Sequence, residues 1–452
     1  MSKLHAHLFR SLFLLASCVF WQWASAQSTA PTDRATEIPA PELLNVHGQL
    51  TVVTQRHGGF ASPYMGPNSL RPDEGSQETV DGTLFLGLRL WRNGELYVNP
   101  EFDQGYGLSG TTGVAGFTSG AAYKVGHDSA YGRLQRLFLR QTYALDDDVE
   151  KVESGPNALA GSRSKQNLAL TLGKFSVVDI FDNNSYAHDP RADFLNWAVI
   201  DGAAFDYAAD SWGYTYGIAA EWTQQDWTWR GGLFAMSTEP NAETIDKSFN
   251  QREWVAELEH RHDWRGHPGA LRLLVFLNQA RMGYYADAVA LAQVGGQSAD
   301  TSNVRNRASK SGFVLGAEQE LAKDVGVFAR FSRNSGDTEA YDFTDVNQSL
   351  SAGLSVQGNF WSQPAHRAGV AFAVNGLSRE ARAYFAAGGA GILIGDGQLP
   401  HYATEQILEA YYSIAVSKAL AVTADFQHVR NPAYNPDRGP VSIAGLRLHA
   451  EF

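Results

Sequence analysis

Along most of the chain apolar and polar positions alternate with a period of two. Near the C-terminus, Ala444, Leu446, Leu448, Ala450 and Phe452 share one face, and Gly445, Arg447, His449 and Glu451 share the other. Such alternation predicts a strand with one apolar and one polar side. Sixteen segments repeat it, near 46–55, 80–91, 95–103, 133–145, 166–177, 212–224, 226–236, 250–262, 268–280, 309–321, 324–334, 347–358, 366–376, 404–416, 418–429 and 441–452. In 80–91, for example, Leu84, Leu86, Leu88 and Leu90 oppose Thr83, Phe85, Gly87 and Arg89. The second faces are small and polar, as a wet lumen requires and a packed sandwich core does not. Helical patterning is confined to a short stretch, 281–292.

The connections between these segments alternate in length. Long ones at 56–79, 104–132, 178–211, 237–249, 281–308, 335–346, 377–403 and 430–440 are separated by short ones such as 92–94, 225, 263–267, 322–323 and 417. Transmembrane barrels have short periplasmic turns and long extracellular loops, whereas soluble β proteins have no reason to alternate so regularly. The predicted fold is therefore all-β, a transmembrane antiparallel β-barrel of sixteen strands. The exception is 146–165, which opens with Asp146-Asp147-Asp148 where a short turn is expected; a hairpin there would raise the count to eighteen strands. Arg92-Asn93-Gly94 reads as a three-residue loop with Gly94 left-handed. That register sets Leu90 opposite Leu96 and Leu88 opposite Val98, with Arg89 meeting Tyr97 and Gly87 meeting Asn99. Aromatics near segment ends, among them Trp91, Tyr143, Trp222, Trp254 and Tyr412, fit interfacial girdles. On this facing, Leu448→Arg should impair assembly and Arg447→Leu should be tolerated.

Composition narrows the class further. No run of about 18 apolar residues occurs outside or inside the patterned segments, which excludes helical spans. A formal net charge of −12 argues against a nucleic-acid partner, because phosphate binding needs a basic face. Residues 1–26 read as a signal peptide, with Lys3 and Arg10 before the apolar stretch from Ser11 to Trp23, and Ala24-Ser25-Ala26 as the cleavage site. Leu15-Ala16-Ser17-Cys18 is a competing lipoprotein box, and with Cys18 the sole cysteine no internal disulfide forms. Residues 27–45, with Pro31, Pro39 and Pro41, read as a flexible N-terminal segment, and 46–452 as the barrel. The expected location is the outer membrane of a Gram-negative cell.

Alternation places Arg89, Tyr97, Asn99, Glu101, Arg136, Phe138 and Arg140 in the lumen. Arginines and a carboxylate across a narrow aqueous channel offer donors and acceptors to polar solutes and a transverse field to ions. The glycines of 104–120 predict tight turns that could fold inward. The 178–211 loop adds His188, Asp189, Arg191, Asp193 and Trp197, a set suited to hydroxyl contacts and ring stacking. No nucleophile elbow, P-loop, zincin or dinucleotide pattern occurs, and no cofactor is implied. His260 and His262 lack the carboxylate or cysteine ligands that would complete a metal set.

Several stretches resemble the OprB-like carbohydrate-selective porins. They are QRHGGFASPYMGPNSL from Gln55, NPEFDQGYGLSGTTGVAGFTSGAAYKVG from Asn99, RLFLRQT from Arg136, GKFSVVDIFDNNSYAHDPRADFLNWAVID from Gly173, and NPAYNPDRGPVSIAGLRLHAEF from Asn431 to the terminal Phe452. One departure is Ala121, where the family's pattern has a glutamate. The resemblance implies a barrel that passes sugars by passive diffusion, without catalysis, its C-terminal Phe452 read by the barrel-assembly machinery. Sugars are the implied permeants and outer-membrane lipid the surroundings. A barrel enzyme of the lipid-hydrolase type and a secreted soluble carbohydrate-binding β protein are the alternatives. The identity of the sugar and the oligomeric state are left open.

Overall fold

In the computed structural model, residues 40–452 are described, except Tyr123 and Phe343; the expected signal peptide lies outside them. The wall is built from β1 (Leu44–His57), β2 (Gln77–Trp91), β3 (Gly94–Gly105), β4 (His127–Ala144), β7 (Asn167–Phe175), β8 (Thr215–Gln224), β9 (Trp227–Ala235), β10 (Arg252–Trp264), β11 (His267–Met282), β12 (Asn306–Ala322), β13 (Val325–Asn334), β14 (Gln348–Gln357), β15 (Arg367–Gly376), β16 (Glu405–Ser417), β17 (Leu420–Arg430) and β18 (Val441–Glu451). Each strand pairs antiparallel with its neighbours, and β1 closes the barrel on β18, with Val52 opposite Leu448. Closure leaves no unpaired edge, the condition for a sheet to cross a bilayer. All sixteen segments predicted from alternation are strands of this wall.

The exceptional 146–165 connection holds β5 (Val149–Val152) and β6 (Gly161–Ser164), a separate two-stranded hairpin. Because β4 pairs directly with β7, this hairpin stays out of the wall. Among the described residues three α-helices lie in long loops: α1 (Trp197–Ile200), α2 (Tyr285–Gly295) and α3 (Arg379–Ala386). The second falls where helical patterning predicts one; the third carries no signal strong enough to be read from sequence.

The facing is as alternation predicts. Leu84, Leu88 and Leu90 are exposed outward, while Thr83, Phe85 and Gly87 are buried inward. The β2–β3 register differs from expectation by two residues. Leu88 pairs with Leu96, Gly87 with Tyr97 and Arg89 with Glu95. An even shift preserves the faces, which is why alternation alone does not detect it. The reason is local: Asn93, not Gly94, is left-handed at φ 59°, so the loop is shorter than predicted. Gly94 instead lies beneath Trp91, where a Cβ would come 2.1 Å from the indole nitrogen.

The interior is where expectation and structure part most. The 176–214 segment folds into the barrel rather than lying over its mouth. Phe181 packs edge-on to Phe234 at 5.9 Å, Phe205 meets Phe276 at 5.0 Å, and Phe194 contacts Phe328 at 5.7 Å and Tyr411 at 4.9 Å. These rings are buried, and each contributes roughly 1.5–3 kcal/mol by leaving water. Much of the lumen is thus a core made between loop and wall. Strand charges secure it. Glu409 accepts the backbone N–H groups of Leu195 (2.5 Å) and Asn196 (3.0 Å), Glu405 those of Ala115 and Gly116, and Glu257 that of Asp182. Arg330 donates to the Asp182 carboxylate and to the carbonyls of Val199 and Ala187. Arg447 donates to the carbonyls of Pro190, Ala192 and Asp193. The expectation that Arg447→Leu is tolerated is therefore corrected: the side chain faces inward, but it is buried and holds the loop.

Candidate pore constriction

Against the β2–β4 wall the loops leave a cavity of about 410 Å³. A bulge aims its main charge. Asn99 pairs with Arg136 but Pro100 pairs with Leu134, so Gln135 is an extra residue opposite a proline that has no N–H to offer. Arg136 then reaches Asp179 of the loop in a fork, Nε to Oδ2 at 2.7 Å and Nη2 to Oδ1 at 2.6 Å, and lies 4.9 Å from the Tyr214 ring centre. Burial pushes the Asp179 carboxyl up, but the Arg136 guanidinium outweighs this and holds it below its ordinary value.

Arg191 comes from the loop side. Its Nε donates to Asp81 at 2.7 Å, and its Nη2 stands 3.7 Å from Glu101, which also accepts from Thr83 at 2.7 Å. His188 faces Asp201 at 3.5 Å; burial draws its imidazole down, Asp201 draws it up, and the net shift is upward. Trp197 opens α1 behind its N-cap Asn196 and stacks on Phe117 at 4.9 Å. With Tyr207, Trp212 and Tyr214 they give the cavity an aromatic side. The glycine-rich 106–126 segment supplies Phe117 and folds inward, as its turns predict. Ala121 is buried beside Val53 and Leu195, so the family's glutamate has no counterpart there.

The inner end is bounded by the β5–β6 hairpin, whose tip contributes Pro156 and Asn157 to the cavity. Asn45 holds this tip through the carbonyls of Gly155 (3.2 Å) and Ala158 (2.7 Å). Asn99 donates to Asn157 Oδ1 at 2.9 Å, Arg140 to the Asn157 carbonyl at 3.2 Å, and Arg89 to the Ala160 carbonyl at 3.3 Å. The Glu42 N–H donates to the Ala160 carbonyl at 3.0 Å, and the Glu42 carboxylate accepts the Ala160 N–H at 2.8 Å.

Of the residues singled out from sequence, Arg136, His188, Asp189, Arg191 and Trp197 border the cavity. Arg89, Asn99 and Arg140 hold the hairpin. Tyr97 is fully buried against Phe138 at 5.1 Å and donates to Glu95. Asp193 braces the loop through Arg367 at 2.7 Å. Sequence reasoning missed Asp179, Asp81 and the hairpin tip. The long, acidic 146–165 turn was the available signal for the last; nothing in a single sequence pairs Asp179 with Arg136.

A profile described as carbohydrate-selective porin, OprB family, matches residues 68–452. Among solved structures, the high-pH structure of Pseudomonas putida OprB is similar at a TM-score of 0.68 and 16% identity, covering 91% of this chain and 94% of that one. The low-pH structure of the same protein gives 0.49 at 13% identity, covering 91% and 93%. The outer membrane channel DcaP of Acinetobacter baumannii gives 0.48 at 10%, covering 90% and 97%. No curated protein matches the sequence. With most of its length matched by the family profile, the chain belongs to the OprB family of carbohydrate-selective porins.

Proposed function

We propose that monosaccharides and short oligosaccharides cross this outer-membrane sugar channel passively, along the gap between the β2–β4 wall and the 176–214 loop. Family and fold imply a channel rather than an enzyme. The observation that carries the route is the pairing of Arg136 with Asp179 and of Arg191 with Asp81 at a cavity whose other side is aromatic. Paired charges present fixed donors and acceptors, so a sugar exchanges hydroxyl–water bonds for hydroxyl–protein bonds at small net change. Trp197 and its neighbours offer flat apolar surface to the C–H face of the ring. An ion must instead shed water beside charges that are already satisfied. Glu101 supports Arg191, and Asp193 keeps the loop in place. Arg89, Tyr97, Asn99 and Arg140 form the seat of the hairpin, which narrows the inner mouth.

In this reading residues 1–26 serve as signal peptide and Phe452 presents the assembly signal. The expected flexible segment ends earlier than residue 45, since Glu42 bonds the hairpin and Leu44 and Asn45 already belong to β1, leaving 27–41 as the tether. Liposome swelling with sugars of graded size tests it. Swelling should be fast for monosaccharides and fall with size; little permeation of any sugar would favour the barrel-enzyme alternative.

A further inference from the structure

The outer surface of the barrel is not uniform at its long-loop end. Four consecutive strands, β10 to β13, each end there in an arginine at an outward position. These are Arg252, first residue of β10; Arg281, next to last in β11; Arg307, second in β12; and Arg333, next to last in β13. Arg281 and Arg307 are directly opposite in the ladder. Arg252 is drawn toward β11 by Gln279, at 3.2 Å, and Gln279 itself lies two residues from Arg281 on the same face.

Like charges directly opposite in a sheet are destabilising, and among the described residues no ion pair joins Arg281 or Arg307 to a carboxylate. No Asp or Glu occupies an outward position in the outer halves of these four strands. The cations of this end that pair with carboxylates face the loops instead, Arg305 with Glu339 and Lys310 with Asp206, whereas Arg252 meets only the neutral Gln279 amide and Phe249 carbonyl. Arg281, Arg307 and Arg333 are exposed, in a chain whose net charge is −12. Just inward on the same face come Trp254, Leu277 and Phe331, exposed apolar side chains that belong among acyl chains. The arginines therefore stand at headgroup level, on the side where long loops face the exterior.

We propose that this arc binds the phosphate groups of a phosphorylated glycolipid in the outer leaflet. A guanidinium fork matches phosphate oxygens two at a time, and an anion shared between Arg281 and Arg307 turns their repulsion into a bridge. Gln279, two residues inward of Arg281 and opposite Arg252, adds an amide donor beside them, and Trp254 and Leu277 take the lipid's chains. The site lies outside the lumen and does not depend on the sugar route.

The test uses the full barrel in detergent, with lipid A as probe and retention read by native mass spectrometry. The variant is Arg281→Gln with Arg307→Gln. The control is Arg56→Gln with Arg430→Gln, an equal charge change at outward positions of β1 and β17 across the barrel. Wild type and control should retain lipid A, and the arc variant should lose about tenfold or more in affinity. Arg333→Gln alone, a single exposed replacement, should show a smaller loss in the same direction. Dephosphorylated lipid A should not be retained by any of them. Equal retention by the two double variants overturns the proposal, as does equal retention of the dephosphorylated lipid. Thermal stabilisation by inorganic phosphate matching that by lipid A would make this a free-anion site. Self-association that disappears in the arc variant without lipid would assign the arc to a second copy; either result also overturns it.

Discussion

Two parts of the lumen use the same side chains to different ends. On strands β10 to β18, inward Glu257, Glu409, Arg330 and Arg447 terminate on the loop's backbone N–H and C=O groups. Around β2 to β4, Arg136 and Asp81 meet other side chains, Asp179 and Arg191, at the edge of a cavity. Charges spent on backbone groups fix the loop as part of the core. Charges paired with side chains keep their remaining donor and acceptor capacity beside open space. The difference lies in what faces the strand, not in the residue type.

The largest effects should come from the anchoring side. Arg330→Ala leaves Asp182 buried without its cation, and should destabilise by roughly 3–5 kcal/mol. The heat-modifiable band should then unfold at far lower temperature, or little folded barrel should be recovered. Leu448→Arg, which sets a charge among lipid chains, should cost about 2–4 kcal/mol and reduce the folded fraction. Arg447→Leu should also destabilise, by about 1–3 kcal/mol for the groups it leaves unpaired. A fully stable Arg447→Leu barrel would break the comparison, since it would make that charge as dispensable as a solvated one.

On the cavity side the cost depends on what is left behind: Arg191→Ala would strand the buried Asp81 and Glu101, whereas Arg136→Ala leaves a carboxylate that stays in reach of water. The Arg136–Asp179 pair is partly buried, with side chains at 15% and 27%, so water in the cavity can replace part of what is lost and the cost should fall below that of stranding Asp182. Arg136→Ala should melt above Arg330→Ala yet change conductance and sugar block. Shortening the hairpin tip, residues 154–160, sharpens the comparison from the inner end. It should raise conductance at some cost in melting temperature, since Leu159 is buried and Asn45 and Asn99 lose partners, and an unaltered conductance would remove the hairpin from the route.

The wall was legible in the sequence because its signal is local and repeated. Val441 to Phe452 shows the same alternation as Leu84 to Leu90, and a period of two admits few other readings. The interior was legible in its membership only. Alternation marks Arg136 and Arg447 alike as inward; whether each meets a carbonyl, a carboxylate or water depends on where the 176–214 loop runs. That path is set by contacts such as Phe194 on Tyr411 and Glu409 on Leu195, which join residues more than two hundred positions apart. No periodicity records them. The register of β2 on β3 failed for a smaller reason of the same kind, because the Asn93 turn and the Trp91–Gly94 contact are decided by packing.

The central claim is that sugars pass beside Arg136 and Arg191. Single-channel conductance with graded sugar block, compared between wild type and the Arg136→Ala/Arg191→Ala double variant, tests it most directly. The account predicts a folded variant with higher ion conductance and clearly weaker sugar block. Sugar block of unchanged strength in a correctly folded double variant would contradict it.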